Sequence, residues 1–137
     1  MKLFRAALSG IFLWAILANA PGYARTPGNG APFSLPASFA GTSMCADCAG
    51  IRLTLTMRPD GTFVLRHVYA GKPPATTWYE RGTWRYERAK AALVLHGRST
   101  HPEIYRVLDP RTLQPLDAQG EPLPAHVQKN LRRIDAR

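Results

Sequence analysis

Cysteine is nearly absent from this 137-residue chain: Cys45 and Cys48 are the only two. That rules out a four-thiolate zinc site, and His67, His96, His101 and His126 show no paired zinc-finger spacing that could complete one. Acidic residues are scarce as well, 9 Asp and Glu against 18 Lys and Arg. The basic residues are scattered through alternating segments, however, with Arg132-Arg133 the only adjacent arginine pair, and no nucleic-acid fingerprint accompanies them. Long apolar runs are missing, since none reaches the roughly 20 residues a membrane span needs. There is no long amphipathic helix, no repeat and no low-complexity tract. No nucleophile elbow with Ser-His-Asp ordering, no His-Glu-x-x-His pair and no glycine-rich phosphate loop occurs, which leaves an enzyme reading without a motif.

The N-terminus reads as an export signal. Lys2 and Arg5 precede the uncharged, mostly apolar stretch Ala6 to Ala18, and Gly22 and Ala24 offer small residues for cleavage before Arg25. No cysteine follows that stretch, so no lipid-attachment pattern is present. Residues 1–24 are therefore expected to be a signal peptide, and the protein to be periplasmic without a stable membrane anchor after cleavage. Removal of residues 1–24, Lys2 and Arg5 among them, leaves a chain of 113 residues that is still basic. That length suffices for one domain with one core.

Residues 25–37 hold three prolines and two glycines and read as a flexible lead-in to a single domain over 38–135. From Ser38 onward the pattern is β. Leu53, Leu55 and Met57 alternate with Arg52, Thr54, Thr56 and Arg58, a period of two with one face suited to a core. Arg58-Pro59-Asp60-Gly61 is a turn: proline presets φ at the first central position, and glycine takes the positive φ that follows. Thr62 to Tyr69 resumes a strand, with Phe63, Leu65 and His67 on one face and Val64 and Val68 on the other. Gly71 to Thr77 is a loop, because Pro73-Pro74 cannot sit in a paired strand.

Further strands are expected at Trp78 to Tyr86, Ala92 to Gly97, Glu103 to Leu108 and Thr112 to Leu116. The segment with Val127, Leu131 and Ile134 fits either a helix or a closing strand. An antiparallel meander of this length most simply closes into a small barrel, which removes exposed edges. Trp78, Trp84, Phe63, Tyr69, Tyr86 and Tyr105 are expected to fill its core.

Chemistry then centres on Cys45-Ala46-Asp47-Cys48. A redox-active Cys-x-x-Cys draws its reactivity from the N-terminus of a helix behind the first cysteine. Here Cys48 leads through Ala49-Gly50 into a strand, and Asp47 disfavours a thiolate, so an oxidoreductase is not expected. Two readings stay open. An oxidising compartment favours a disulfide that stiffens a loop at the barrel mouth, with modest stabilisation from so short a ring. Alternatively, the two thiolates suit Cu(I), a soft ion that accepts low coordination, and the thioether of Met44 could join Cys45 and Cys48 as a ligand.

Several of these segments together resemble a known family. They are Gly41-Thr42, Cys45-Ala46-Asp47-Cys48-Ala49-Gly50-Ile51, Asp60-Gly61-Thr62-Phe63, Gly82-Thr83-Trp84, Leu93-Val94-Leu95 and Tyr105-Arg106. In that order, over Ser38 to Asp135, the sequence is similar to the N-terminal domain of the NlpE family of copper-resistance and envelope-stress lipoproteins. The resemblance implies an all-β fold, a small antiparallel lipocalin-like β-barrel, with the tail as its closing strand. It also implies a role in copper tolerance or envelope-stress signalling. Cys45 and Cys48 would form the metal or redox motif, and a soft metal ion or an envelope protein would be the partner. The family's best-known member has a lipidated N-terminal cysteine and a second, C-terminal domain. Neither has a counterpart in this sequence, so the barrel and the cysteine loop are what carry over. The competing expectation is a lipocalin-like carrier that holds a small apolar ligand while the cysteines serve as a staple. A third is a module that binds partners through its basic surface.

Overall fold

The computed structural model describes residues 30–71 and 76–134. The expected signal peptide, the first part of the lead-in, the Pro-Pro loop centre and Asp135 lie outside these residues. Eight strands form an antiparallel meander that closes on itself: β1 (Ala37–Ser43), β2 (Gly50–Met57), β3 (Thr62–Ala70), β4 (Thr76–Glu87), β5 (Ala92–His96), β6 (Glu103–Asp109), β7 (Thr112–Leu116) and β8 (Leu131–Arg133). The short β8 is the closing element. It pairs Arg132 with both Ala40 of β1 and Thr112 of β7. The ambiguous tail is thus a strand, and closure leaves no long unpaired edge.

Alternation decides which side chains face in. Leu53, Leu55 and Met57 of β2 lie opposite His67, Leu65 and Phe63 of β3. All six are buried, while Arg52 and Arg66 point outward. The five apolar ones, with Phe39, Trp84, Leu93, Leu95, Tyr105, Leu113 and Leu131, fill the barrel interior with side chains. β5 breaks the alternation, because Ala92 and Val94 are buried on its outer face too. The segment after β7 folds back over that face, bridging Leu116 to Pro122, with Gly120 O accepting a bond from Arg106 Nη2. This is why the strand reads as a continuous apolar run.

The two ends differ. At one, the β2–β3 turn is built as its sequence indicates: Gly61 adopts φ +84° and donates to Arg58 O, and the Asp60 carboxylate accepts from Thr62 N and Oγ1. These bonds hold the Asp60 carboxyl below its ordinary range. Trp84 is anchored to the same turn. Its backbone N donates to Gly61 O and its indole Nε1 to Arg58 O, which satisfies the polar handle of a buried indole. Residues 30–36, expected as part of a flexible lead-in, are seated against the barrel. Phe33 packs edge-on to Phe39 at 5.3 Å, and Arg133 donates to Ser34.

The opposite end is an open mouth, ringed by the β1–β2 and β5–β6 connections, the facing ends of β3 and β4, and the segment before β8. Here one core expectation fails: Trp78 is 40% exposed. It does face inward, directly opposite His67, but it stands above the packed layer where the barrel opens. Tyr69 is half-buried for the same reason, and Tyr86 packs against the core from a half-buried position.

Candidate functional site: the cysteine loop and the barrel mouth

Both ends of the β1–β2 loop are tied down. Met44 N donates to Val127 O at 2.7 Å, and Ala49 N donates to Ala70 O at 2.9 Å. Between these clamps Cys45 and Cys48 are joined by a disulfide, with Cα atoms 5.3 Å apart. Both cysteines are half-buried, while Ala46 and Asp47 at the tip are exposed. Asp47 Oδ1 stands 3.4 Å from Cys45 Sγ. The donor atoms of Cys45, Asp47 and Cys48 lie within 4.8 Å of one another. Met44 is 54% exposed, and with Cys45, His126 and Val127 it lines a shallow cleft of about 410 Å³.

This donor set fits a soft metal in one redox state only. Joined as a disulfide, the sulfurs are weak, neutral donors. Two electrons and two protons convert them to thiols, and a Cu(I) ion taken by both as thiolates releases those two protons. The remaining histidines are dispersed. His96 sits against Arg85 on the outer wall, His101 lies in the β5–β6 connection, and His67 belongs to the mouth.

The mouth holds groups that motif reasoning missed. A cavity of about 610 Å³ opens there. On its walls, the inward-facing positions nearest the opening carry polar residues, whereas those deeper in the barrel are mostly apolar. Glu80 is 8% exposed, and its Oε1 accepts from Arg98 N at 3.1 Å. Glu103 accepts a 3.0 Å bond from Tyr105 OH, which in turn accepts from Gln128 Nε2 at 3.2 Å. Burial, aided by the nearby Glu80 charge, raises the Glu103 carboxyl above its ordinary range despite that bond. Burial likewise pushes the Tyr105 phenol well above its usual value.

His67 is 8% exposed and stacks flat under Trp78 at 3.8 Å, while Trp78 Nε1 donates to Tyr69 OH at 3.1 Å. Desolvation holds the imidazole below its ordinary value against the opposing Glu80 charge, and its buried Nε2 has no hydrogen-bond partner. The alternation could have located these groups: Glu80 lies two residues from both Trp78 and Gly82, on the face that also carries Trp84.

A closed eight-stranded antiparallel barrel with a two-cysteine loop at its mouth defines the class of protein. The chain belongs to the NlpE N-terminal domain family, whose pattern it matches over residues 39–126. It is 33% identical over 90 residues to Lipoprotein NlpE of Escherichia coli K12, a match covering 65% of this chain and 37% of that protein. The match therefore spans little more than a third of the relative's length. The crystal structure of the Cpx pathway activator NlpE from Escherichia coli superposes with TM-score 0.55 and 34% identity, covering 66% of this chain and 46% of that one. A candidate lipoprotein from Shewanella oneidensis, solved at 1.42 Å, gives TM-score 0.59 and 25% identity over 74% of this chain and 90% of its own.

Proposed function

We propose that this protein is a non-catalytic barrel of the cell envelope that acts in copper tolerance or stress sensing through its Cys45–Cys48 loop. The observation that carries the reading is the placement of the chain's only two cysteines. They are paired, half-buried, across the tip of a loop whose ends are hydrogen-bonded to the barrel, so the sulfurs can change state while the scaffold stays folded. In the oxidised form the loop is closed. In the reduced form Cys45 and Cys48, with Met44 beside them, offer Cu(I) two thiolates and a thioether. The export signal read from the sequence and the lipoprotein relatives support an envelope, periplasm-facing location.

Family membership supports a signalling or protective role, and the pathway-activator relative makes an envelope protein a natural second partner. The carrier reading has less support, since the described interior is filled by side chains and the open cavity is confined to the polar mouth.

The test is in the native host. Replacing the gene copy with Cys45→Ser/Cys48→Ser is expected to lower copper tolerance as far as deleting the protein does. A variant strain that withstands copper as well as wild type, with the variant present at normal levels, would remove the cysteine loop from the function.

A further inference from the structure

The chain carries twice as many basic as acidic residues, yet two acids are turned into the barrel mouth. Neither Glu80 nor Glu103 is held in an ion pair among the described residues. The pairs there involve Glu87, with Arg85 and Lys90. Placing a carboxylate away from water without a cation is costly, and a fold that keeps two such groups at an open cavity has left room for a counter-charge. Tyr105 OH and the Arg98 backbone N–H each satisfy only one oxygen of their carboxyl partner.

A second, independent observation points the same way. His67 lies on the cavity wall, more than nine-tenths buried, with Nε2 lacking any partner. A neutral imidazole nitrogen of this kind is an acceptor left unfilled in the cavity wall.

We infer that the mouth is a ligand site separate from the cysteine loop, and that it takes a small organic ammonium ion. The ammonium head bonds to the Glu80 and Glu103 carboxylates, while the carbon body lies against Trp78 and Tyr69.

Three features select this class of ligand. The aromatic rim offers apolar contact and cation–π attraction, which a bare inorganic ion uses poorly. The cavity volume of about 610 Å³ is that of a small-molecule site. A single metal ion fits less well: among the described residues only Cys45, Asp47 and Cys48 converge three potential ligand atoms within 4.8 Å, and His67, Glu80 and Glu103 do not. An anion would meet two carboxylates, against which only Arg98 at the rim offers positive charge. The inference does not depend on the redox or copper chemistry of the loop.

The experiment uses three probes with one carbon skeleton: phenethylammonium, 2-phenylethanol and phenylacetate. Each is titrated calorimetrically into the oxidised mature protein. Phenethylammonium is expected to bind at one equivalent, with the neutral and anionic probes weaker by about tenfold or more, the value of a charged hydrogen bond. Glu80→Gln and Glu103→Gln, near-isosteric changes, are each expected to weaken it by a similar factor. Cys45→Ser/Cys48→Ser is expected to leave it unchanged, which separates this site from the loop.

In the wild-type protein the Trp78 indole N–H resonance should shift on titration, a readout that needs no variant. Equal binding of the three probes, no binding of any, or unchanged affinity in both glutamine variants would overturn the inference. So would tight binding of zinc(II) alone, lost in the same variants.

Discussion

Gly82 sits in the middle of β4, on the inward face between Glu80 and Trp84. The backbone of β5 passes so close that a Cβ at this position would overlap the His96 carbonyl oxygen. It would also lie 2.8 Å from His96 C and 2.9 Å from Gly97 Cα. All three atoms are backbone, so no side chain can swing aside. Gly82→Ala must therefore spread β4 from β5 where Thr83 pairs with His96. Overpacking costs typically 1–3 kcal/mol, and a clash with backbone alone belongs at the top, about 3 kcal/mol. For a barrel of about 100 residues this lowers Tm by roughly 12–24 °C. The check is a thermal melt followed by calorimetry and far-ultraviolet dichroism, with Thr83→Ala as control. Thr83 is exposed on the same strand, and its truncation should stay within about 0.5 kcal/mol. A Gly82→Ala protein melting within a few degrees of wild type would refute the reasoning, because β4 and β5 could not then approach as described.

The oxidised ring spans a sequence separation of three, and loop entropy for so short a ring gives about 2 kcal/mol at most. Since Met44 N and Ala49 N already clamp the loop, Cys45→Ser/Cys48→Ser should cost less than that in urea unfolding; a loss above about 4 kcal/mol would make the pair a structural staple. Glu103 supplies a pH signature. Its carboxyl is raised from 4.5 in the folded state, so the folded protein holds that proton more firmly than the unfolded chain. The resulting contribution to stability is full below 4.5 and is lost as pH rises through the folded value. Glu103→Gln should gain stability relative to wild type as pH is raised from acid to neutral, and a flat difference would deny the burial.

The fold was legible because alternation is strict where it matters. Leu53, Leu55 and Met57, the Pro59-Asp60-Gly61 turn and Phe63 to His67 all take the positions their spacing implies. Gly82-Thr83-Trp84 reads as a motif, but its reason lies in three dimensions: the glycine admits β5, and the tryptophan reaches back to Arg58 and Gly61. Trp78 misled, because periodicity reports the face a residue takes and not its height along the barrel axis. The same blindness hid Glu80 and Glu103, which sit on either side of β5 and meet only where β4 and β6 open at one mouth. Cys45 and Cys48 were legible as a pair from spacing alone. Their position at the tip of a clamped loop was not, since Val127 and Ala70 supply the clamps from distant parts of the chain.

The most direct test of the central claim is a thiol count on protein purified natively from the envelope, then reduced anaerobically and titrated with Cu(I). The account predicts two free thiols after reduction, both protected at one equivalent of copper, while the dichroism spectrum of the barrel is unchanged. If the reduced protein takes up no more Cu(I) than Cys45→Ser/Cys48→Ser, the cysteine loop is not a soft-metal site and the account is contradicted.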